Sequence, residues 1–430
     1  MTLSRLKTGV IYLLLLLVLV PALLLPASCV QTAPATTGGT VRPEDVGLST
    51  AKLELIDAKI NSDIADGTIN GAVLLVARNG KTAYLKSYGH RDADGKLPMT
   101  DDTIFRVYSM TKSLTAVATA MLMEEGKLAY SDPISKYIPS FKDTMVGEIV
   151  KDDKGNESVN LVKPSREITI YDCATHTSGS TAWFLAPAAI RTLFMQAGMY
   201  NLESYTNAEV MEKVAKLPFV ENPGTTYRYG MSYDILGRVI EVASGMTLDQ
   251  FFAQRIYQPL GMTTGSGFQV SEKDADRLVY LDPTWPFIIN PANPDRKYFA
   301  GGSGSVSTAL DWQRFAQMLL NKGELDGVRL LKPETVAYIT SDRLGPLGNR
   351  DDNYYIPTKG YGEGFDFYVR VNDPSTGDPA PPGMFCKEGI AGSIYWVDPT
   401  NNLVAVFMVN ATSGQYRKLV EPMIYAAIIK

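Results

Sequence analysis

Histidine is nearly missing from this chain of 430 residues, which contains only His90 and His176. A Ser–His–Asp arrangement would have to use one of these two, and no Gly-x-Ser-x-Gly elbow exists to present a serine to it. His176 lies in Thr175-His-Thr-Ser-Gly179, a small polar segment that reads as a turn, where polar side chains satisfy backbone groups. His90 opens His90-Arg-Asp-Ala-Asp-Gly95, which lacks a glutamate at the calcium-loop offset and reads as a polar turn. Cysteine is scarce too, with Cys29, Cys173 and Cys386 making up the whole set. In an exported protein Cys173 and Cys386 could pair, but a buried thiol packs well without a partner, and the free-thiol reading is preferred. Runs of lysine and arginine are absent and the formal charge is −5, which argues against nucleic-acid binding. No internal repeat and no cofactor or metal motif is recognised.

What is present begins with a targeting pattern. Arg5 and Lys7 precede an apolar run over residues 10–25, followed by Pro26-Ala-Ser-Cys29. These are the n-region, h-region and small-residue cleavage zone of a signal peptide, so residues 1–29 are set apart from the fold. The run is short and broken by Pro21, which argues against a retained transmembrane anchor. Cysteine directly after Ala-Ser resembles a bacterial lipoprotein signal, in which Cys29 would be freed and lipidated, although Pro26 stands where that pattern prefers leucine. Residues 30–47, rich in Thr, Pro, Gly and Ala, read as a flexible tether. The expected location is the cell envelope, lipid-anchored and facing the periplasm or the exterior.

Periodicity then divides the chain. Leu53, Ile56, Ile60 and Ile64 predict a helix over about residues 49–66, stopped by Gly67. Two apolar strands flank Asn79-Gly80, a tight-hairpin signature. From Ser109 to about Thr340 the pattern is mainly helical, with one stripe through Ile235, Leu236, Val239 and Ile240 that ends at Gly245, and a Thr308/Asp311 capping pair. Lys151-Asp-Asp-Lys-Gly-Asn156 reads as a surface turn. Strand character returns over residues 365–371, 389–397 and 403–409, before a closing helix near 415–429. Neither strand set suffices alone, so both ends of the chain must share one sheet. The expected class is α+β: an antiparallel sheet flanked by terminal helices (about 48–105 and 345–430) with an inserted helical part (about 106–344). The whole is one domain over 48–430, with a site at the seam.

Ser109-Met-Thr-Lys112 opens a helical stretch in which a cation one turn along, helped by the positive helix end, would make the hydroxyl more acidic. The pattern is weak by itself, because Ser-x-x-Lys recurs at Ser4–Lys7 and Ser49–Lys52. A Ser–Lys pair works with tyrosine or a second lysine instead of histidine. Tyr229, in Thr226-Tyr-Arg-Tyr229-Gly-Met231, follows a Pro-Gly turn and just precedes a helix. Tyr205 is a rival in Tyr205-Thr-Asn207, where Asn207 reads as a helix cap. The last candidate is Lys387-Glu388-Gly389 at a late strand, where Gly389 would admit close approach of a ligand.

Ser109-x-x-Lys112, Tyr229-x-Met231 and Lys387-Glu388-Gly389, in that order, resemble the three motifs of serine β-lactamase-related hydrolases. That group includes class C β-lactamases, low-molecular-mass penicillin-binding proteins and family VIII carboxylesterases. The similarity spans about residues 48–428 and includes His176-Thr-Ser-Gly179, Pro259-Leu-Gly-Met262 and Trp396-Val-Asp-Pro399. It implies a β-lactamase/transpeptidase-like fold with Ser109 as acylated nucleophile, Lys112 as its activator and Tyr229 as general base, then acid. It also implies Lys387 beside Tyr229, an oxyanion hole from the N–H groups of Ser109 and Ile390, and no metal or cofactor. Two ammonium groups near a phenol favour its ionised form. Two positions depart from the pattern. Met231 replaces an asparagine that could hold a substrate's acylamino group, and Glu388 replaces a hydroxyl that helps bind a carboxylate. Facing the cleft, Glu388 would repel a carboxylate at about 4 Å by ~1 kcal/mol in water and ~4 kcal/mol at intermediate dielectric. Successive strand residues alternate, so Glu388 would equally be able to turn away. Lys387 is kept where such esterases often carry tryptophan. The implied activity is hydrolysis of small esters or amides; a D-Ala-D-Ala-type peptidase, a β-lactamase and a non-catalytic, membrane-tethered binding protein are the alternatives.

Overall fold

The computed structural model describes residues 40–348, 360–411 and 417–429. The expected signal, the lipidation position Cys29 and most of the expected tether lie outside the described residues. The last part of that tether is not a free linker. Pro43–Val46 forms a turn of 3₁₀ helix, Val46 is buried, and the Arg78 guanidinium donates to the carbonyl oxygens of Val46 (3.2 Å) and Gly47 (2.6 Å). A valine that can be buried and a nearby arginine tie these residues to the body despite their linker-like composition.

The helix Thr50–Ala65 buries Leu53, Ile56 and Ile60, and Ser49 is its N-cap, accepting from the Lys52 N–H at 3.4 Å. That Ser-x-x-Lys match is therefore a capping device. The main sheet has seven strands: β1 (Gly71–Arg78), β2 (Lys81–Gly89), β3 (Tyr361–Glu363), β4 (Tyr368–Arg370), β5 (Phe385–Glu388), β6 (Gly392–Asp398) and β7 (Leu403–Asn410). Their order is β2-β1-β7-β6-β5-β4-β3, antiparallel throughout. Asn79 and Gly80 have φ of 54° and 72°, the paired positive values a tight hairpin needs. β1 pairs with β7 from Ala72↔Val409 to Arg78↔Leu403, so the two chain ends meet in the middle of the sheet.

The pleat sorts the core. Ala72, Leu74 and Val76 face the same side as Trp396, Phe407 and Val409, and pack with Leu53, Ile56, Val420 and Ile424 of the terminal helices. Val73, Leu75 and Ala77 face the opposite side with Val404, Val406 and Met408, against Trp312 and Phe315 of the helix Ala309–Leu320. That helix is capped by Thr308, which accepts from the Asp311 N–H at 3.1 Å. The stripe Ile235, Leu236, Val239 and Ile240 lies on the helix Ser232–Ser244, which Gly245 ends at φ 73°.

Three local expectations change. The inserted part carries a hairpin, Val146–Lys151 with Glu157–Val162, around the surface turn; its strands are largely exposed and mix polar with apolar residues, so no sustained alternating apolar pattern marks them in the sequence. The stretch 365–371 is strand only from Tyr368, because residues 364–367 turn between β3 and β4 with Asp366 at φ 59°. Thr206, not Asn207, caps the helix Asn207–Val214, while the Asn207 amide bonds the backbone of Phe299. Cys173 and Cys386 are both buried free thiols. Among the described residues, no helix is long and apolar enough to cross a membrane.

Candidate active site

Ser109 does not begin the α-helix itself. It lies in a 3₁₀ turn, Tyr108–Met110, that leads into the helix Thr111–Glu124, of which every residue from Thr111 to Leu122 is buried. Tyr108 holds φ at 45°, the left-handed region that non-glycine residues seldom adopt, so the backbone is strained one residue before the serine. Lys112, on the first turn of the helix, points back toward Ser109.

Three side chains converge there. Lys112 Nζ lies 3.1 Å from Ser109 Oγ and 2.5 Å from the Tyr229 hydroxyl, and the Tyr229 hydroxyl lies 2.7 Å from Ser109 Oγ. Lys112 also donates to the carbonyl oxygen of Gly302 at 2.6 Å. Gly302 is needed at that point, since a Cβ there would stand 2.6 Å from an Asp234 carboxylate oxygen. Burial pushes the Lys112 ammonium down to about 8, although Asp366 works in the other direction. Burial raises the Asp234 carboxyl, against the pull of Lys112 and a 2.8 Å bond from the Tyr298 hydroxyl. A triangle of hydroxyl, phenol and an amine made easier to deprotonate can pass a proton among its members without an imidazole.

The triangle opens into a cavity of about 250 Å³. Ser109, Lys112, Tyr229, Met231 and Ile390 line it, with Trp183, Phe184, Met199 and Phe287 among the apolar walls. Trp285 contacts Phe287 at 5.4 Å and Tyr108 at 5.5 Å between ring centroids, extending the aromatic wall behind the serine. Among the described lining residues the cations are Lys112 and Arg296. Arg296 donates from Nε to the carbonyl oxygen of Tyr298 at 3.1 Å and from Nη1 to those of Phe268 and Gly304 at 2.8 and 3.2 Å. Tyr205, the rival tyrosine, is not among the lining residues.

The third motif keeps its lysine beside Tyr229, as expected, but does not bring it to the cavity as a substrate-binding group. Lys387 is fully buried, does not line the cavity, and pairs with Asp366 at 2.7 Å. Its Nζ stands 5.4 Å from the Tyr229 ring centroid. Glu388 is half-buried and also outside the lining. Gly389 does allow a close approach, but of protein: a Cβ would lie 2.5 Å from the carbonyl oxygen of Val107, two residues before Ser109. That contact joins the end of β5 to the segment carrying the serine.

Asp366 is the residue that spacing did not reveal. It accepts from Lys387 and lies 2.9 Å from His176 Nε2, and the His176 ring stacks on Tyr229 at 4.8 Å. The signal available was an odd one, two acidic residues in Tyr361-Gly-Glu-Gly-Phe-Asp-Phe-Tyr368 within an otherwise apolar stretch. His176, Glu363 and Asp366 place potential ligand atoms within 4.8 Å of one another, but the Lys387 ammonium already supplies the positive charge there.

Fold and chemistry together define a serine hydrolase built on an antiparallel sheet with a helical insert. The chain belongs to the Beta-lactamase family, whose model matches residues 56–425. It is 32% identical to an uncharacterized protein of Mycobacterium tuberculosis, over 80% of this chain and 86% of that one. It is 27% identical to esterase EstB of Burkholderia gladioli, over 87% and 94% of the two chains. Among solved structures, EstCE1, a hydrolase with promiscuous acyltransferase activity, superposes with a TM-score of 0.72 at 24% identity, covering 88% of this chain and 99% of that one.

Proposed function

We propose that this chain is an exported serine esterase that forms an acyl-enzyme through Ser109 and cleaves small neutral esters, or amides, bearing an apolar group. The observation that carries this reading is the mutual contact of Ser109 Oγ, Lys112 Nζ and Tyr229 OH at the floor of an aromatic-walled cavity. In the first half-reaction the serine proton passes to the Tyr229–Lys112 pair as Oγ attacks the carbonyl carbon. The proton then goes to the leaving alkoxide or amine. In the second, water attacks the acyl-serine, the same pair takes its proton, and as the acyl–Oγ bond breaks that proton returns to Ser109 Oγ, releasing the acid. The N–H groups of Ser109 and Ile390 are proposed to stabilise the oxyanion, a contribution of ~3–4 kcal/mol where single donors have been removed from such sites.

Substrate charge follows from the cations. A D-alanyl peptide or a β-lactam presents a carboxylate, which needs a free positive group to offset its desolvation. Lys387 is turned onto Asp366 and Arg296 onto carbonyl groups, while Glu203 and Asp234 line the cavity as acids. This supports the esterase over the peptidase or β-lactamase reading. Export and lipid attachment through Cys29 rest on the N-terminal pattern alone.

Labelling with a fluorophosphonate probe, followed by peptide mass mapping, should place the adduct on Ser109; an unmodified serine would favour a binding protein with no catalysis. A panel of p-nitrophenyl esters, nitrocefin and a D-Ala-D-Ala peptide should rank the neutral esters first. Cys29→Ala should release the protein from the membrane fraction.

A further inference from the structure

A fully buried ion pair lies beside the reacting phenol. Buried pairs seldom add net stability over apolar residues of similar volume, because desolvating both charges offsets their attraction. Here the pair is Asp366 and Lys387, and Asp366 Oδ1 also takes the His176 ring nitrogen Nε2. Burial works to raise the Asp366 carboxyl, but the Lys387 charge and the His176 bond outweigh it and hold the group below the usual carboxylate range. Burial pushes Glu363, the neighbouring acid, up to about 8, so at neutral pH it is largely uncharged and leaves Lys387 to Asp366. Burial likewise lowers His176 to about 4, so its imidazole is neutral. An ionised carboxylate is an acceptor only, which puts the imidazole proton on Nε2.

His176 contacts Tyr229 and the residue before it. Its ring lies 4.8 Å from the Tyr229 ring and 26° from parallel, and its carbonyl oxygen accepts the Arg228 N–H at 2.7 Å. It does so from a backbone at φ 55°, in the left-handed region that non-glycine residues adopt only where the surroundings hold them there. Lys387 Nζ completes the arrangement 5.4 Å from the Tyr229 ring and 4.1 Å from that of Tyr368.

We propose that Asp366, Lys387 and His176 form a buried positioning unit for Tyr229, in which Asp366 selects the Nε2–H tautomer of His176 and thereby sets the ring on which the phenol is seated. None of the three touches the substrate; each acts through Tyr229. The inference rests on the serine-hydrolase reading and deepens it. It makes the third-motif lysine part of the support for the base instead of part of the substrate pocket.

With two histidines in the chain, ¹⁵N-histidine NMR reads the unit directly, and a His90→Gln variant identifies the His176 signals. The wild-type protein should show a neutral Nε2–H imidazole that does not titrate between about pH 6 and 9. The paired variant Asp366→Asn/Lys387→Met keeps the site neutral, so it should fold where Asp366→Asn alone strands a buried ammonium. In it the His176 tautomer should shift or become mixed, and kcat for p-nitrophenyl acetate should fall at least about tenfold with KM within about threefold, the pattern of a transition-state effect. An Nδ1–H tautomer in the wild type overturns the proposal, whether or not the variants fold. A folded paired variant with kcat within about twofold of wild type also overturns it, leaving only a core ion pair. Wild-type protein that neither turns over the ester nor labels at Ser109 overturns the hydrolase reading, and this inference falls with it.

Discussion

The Tyr229 hydroxyl stands 2.5 Å from Lys112 Nζ and 2.7 Å from Ser109 Oγ, so one phenol bridges the amine and the alcohol. A proton leaving the serine has a path that stays inside a buried site, and how well the amine can receive it depends on pH.

Lys112 is held near 8, below the usual 10.5 of a lysine, chiefly by burial. Its protonated form cannot accept the serine proton, so the reactive fraction grows as pH rises. The kcat/KM for a p-nitrophenyl ester should therefore climb through about 8 and level off above it. A profile that falls with rising pH would assign Lys112 a different role.

Tyr229→Phe removes the bridge but keeps the ring stacked on His176. Turnover should drop by about 10²–10⁴, the usual cost of losing a proton-transfer group. The thermal midpoint should move little, because one hydrogen-bonding hydroxyl is worth about 1 kcal/mol. Kinetics and a melting curve on the same preparation separate the two effects.

Glu388→Thr tests the third motif. Were Glu388 in the cleft, relieving ~1–4 kcal/mol of repulsion would accelerate carboxylate-bearing substrates several-fold or far more. Since Glu388 does not line the cavity, the expected change is under about twofold. A tenfold gain on a succinyl ester would return the side chain to the site.

Gly389→Ala drives a Cβ to 2.5 Å from the Val107 carbonyl oxygen, and backbone cannot move aside as a flexible side chain can. A loss of about 1–3 kcal/mol is expected in denaturant titration. Activity should fall with it, because Val107 leads directly into the strained turn that presents Ser109.

Much of this protein follows from spacing along the chain. The Asn79-Gly80 hairpin, the stripe Leu53–Ile56–Ile60 and the Thr308 cap depend on contacts within a few residues, and local rules find them. The order of Ser109, Lys112 and Tyr229 pointed to one site, and the fold brings the three within hydrogen-bonding distance. Three-dimensional packing decided the rest. A strand lysine after a Phe-Cys pair has two faces available; only the Asp366 carboxylate, supplied by a turn 21 residues earlier, draws Lys387 into the core. His176 read as a polar turn, and it is one, yet its ring faces a tyrosine 53 positions later and an aspartate 190 positions later. Burial, which sets the charge of Lys112, His176 and Glu363, is a property of what surrounds a group, and short-range sequence patterns do not carry it.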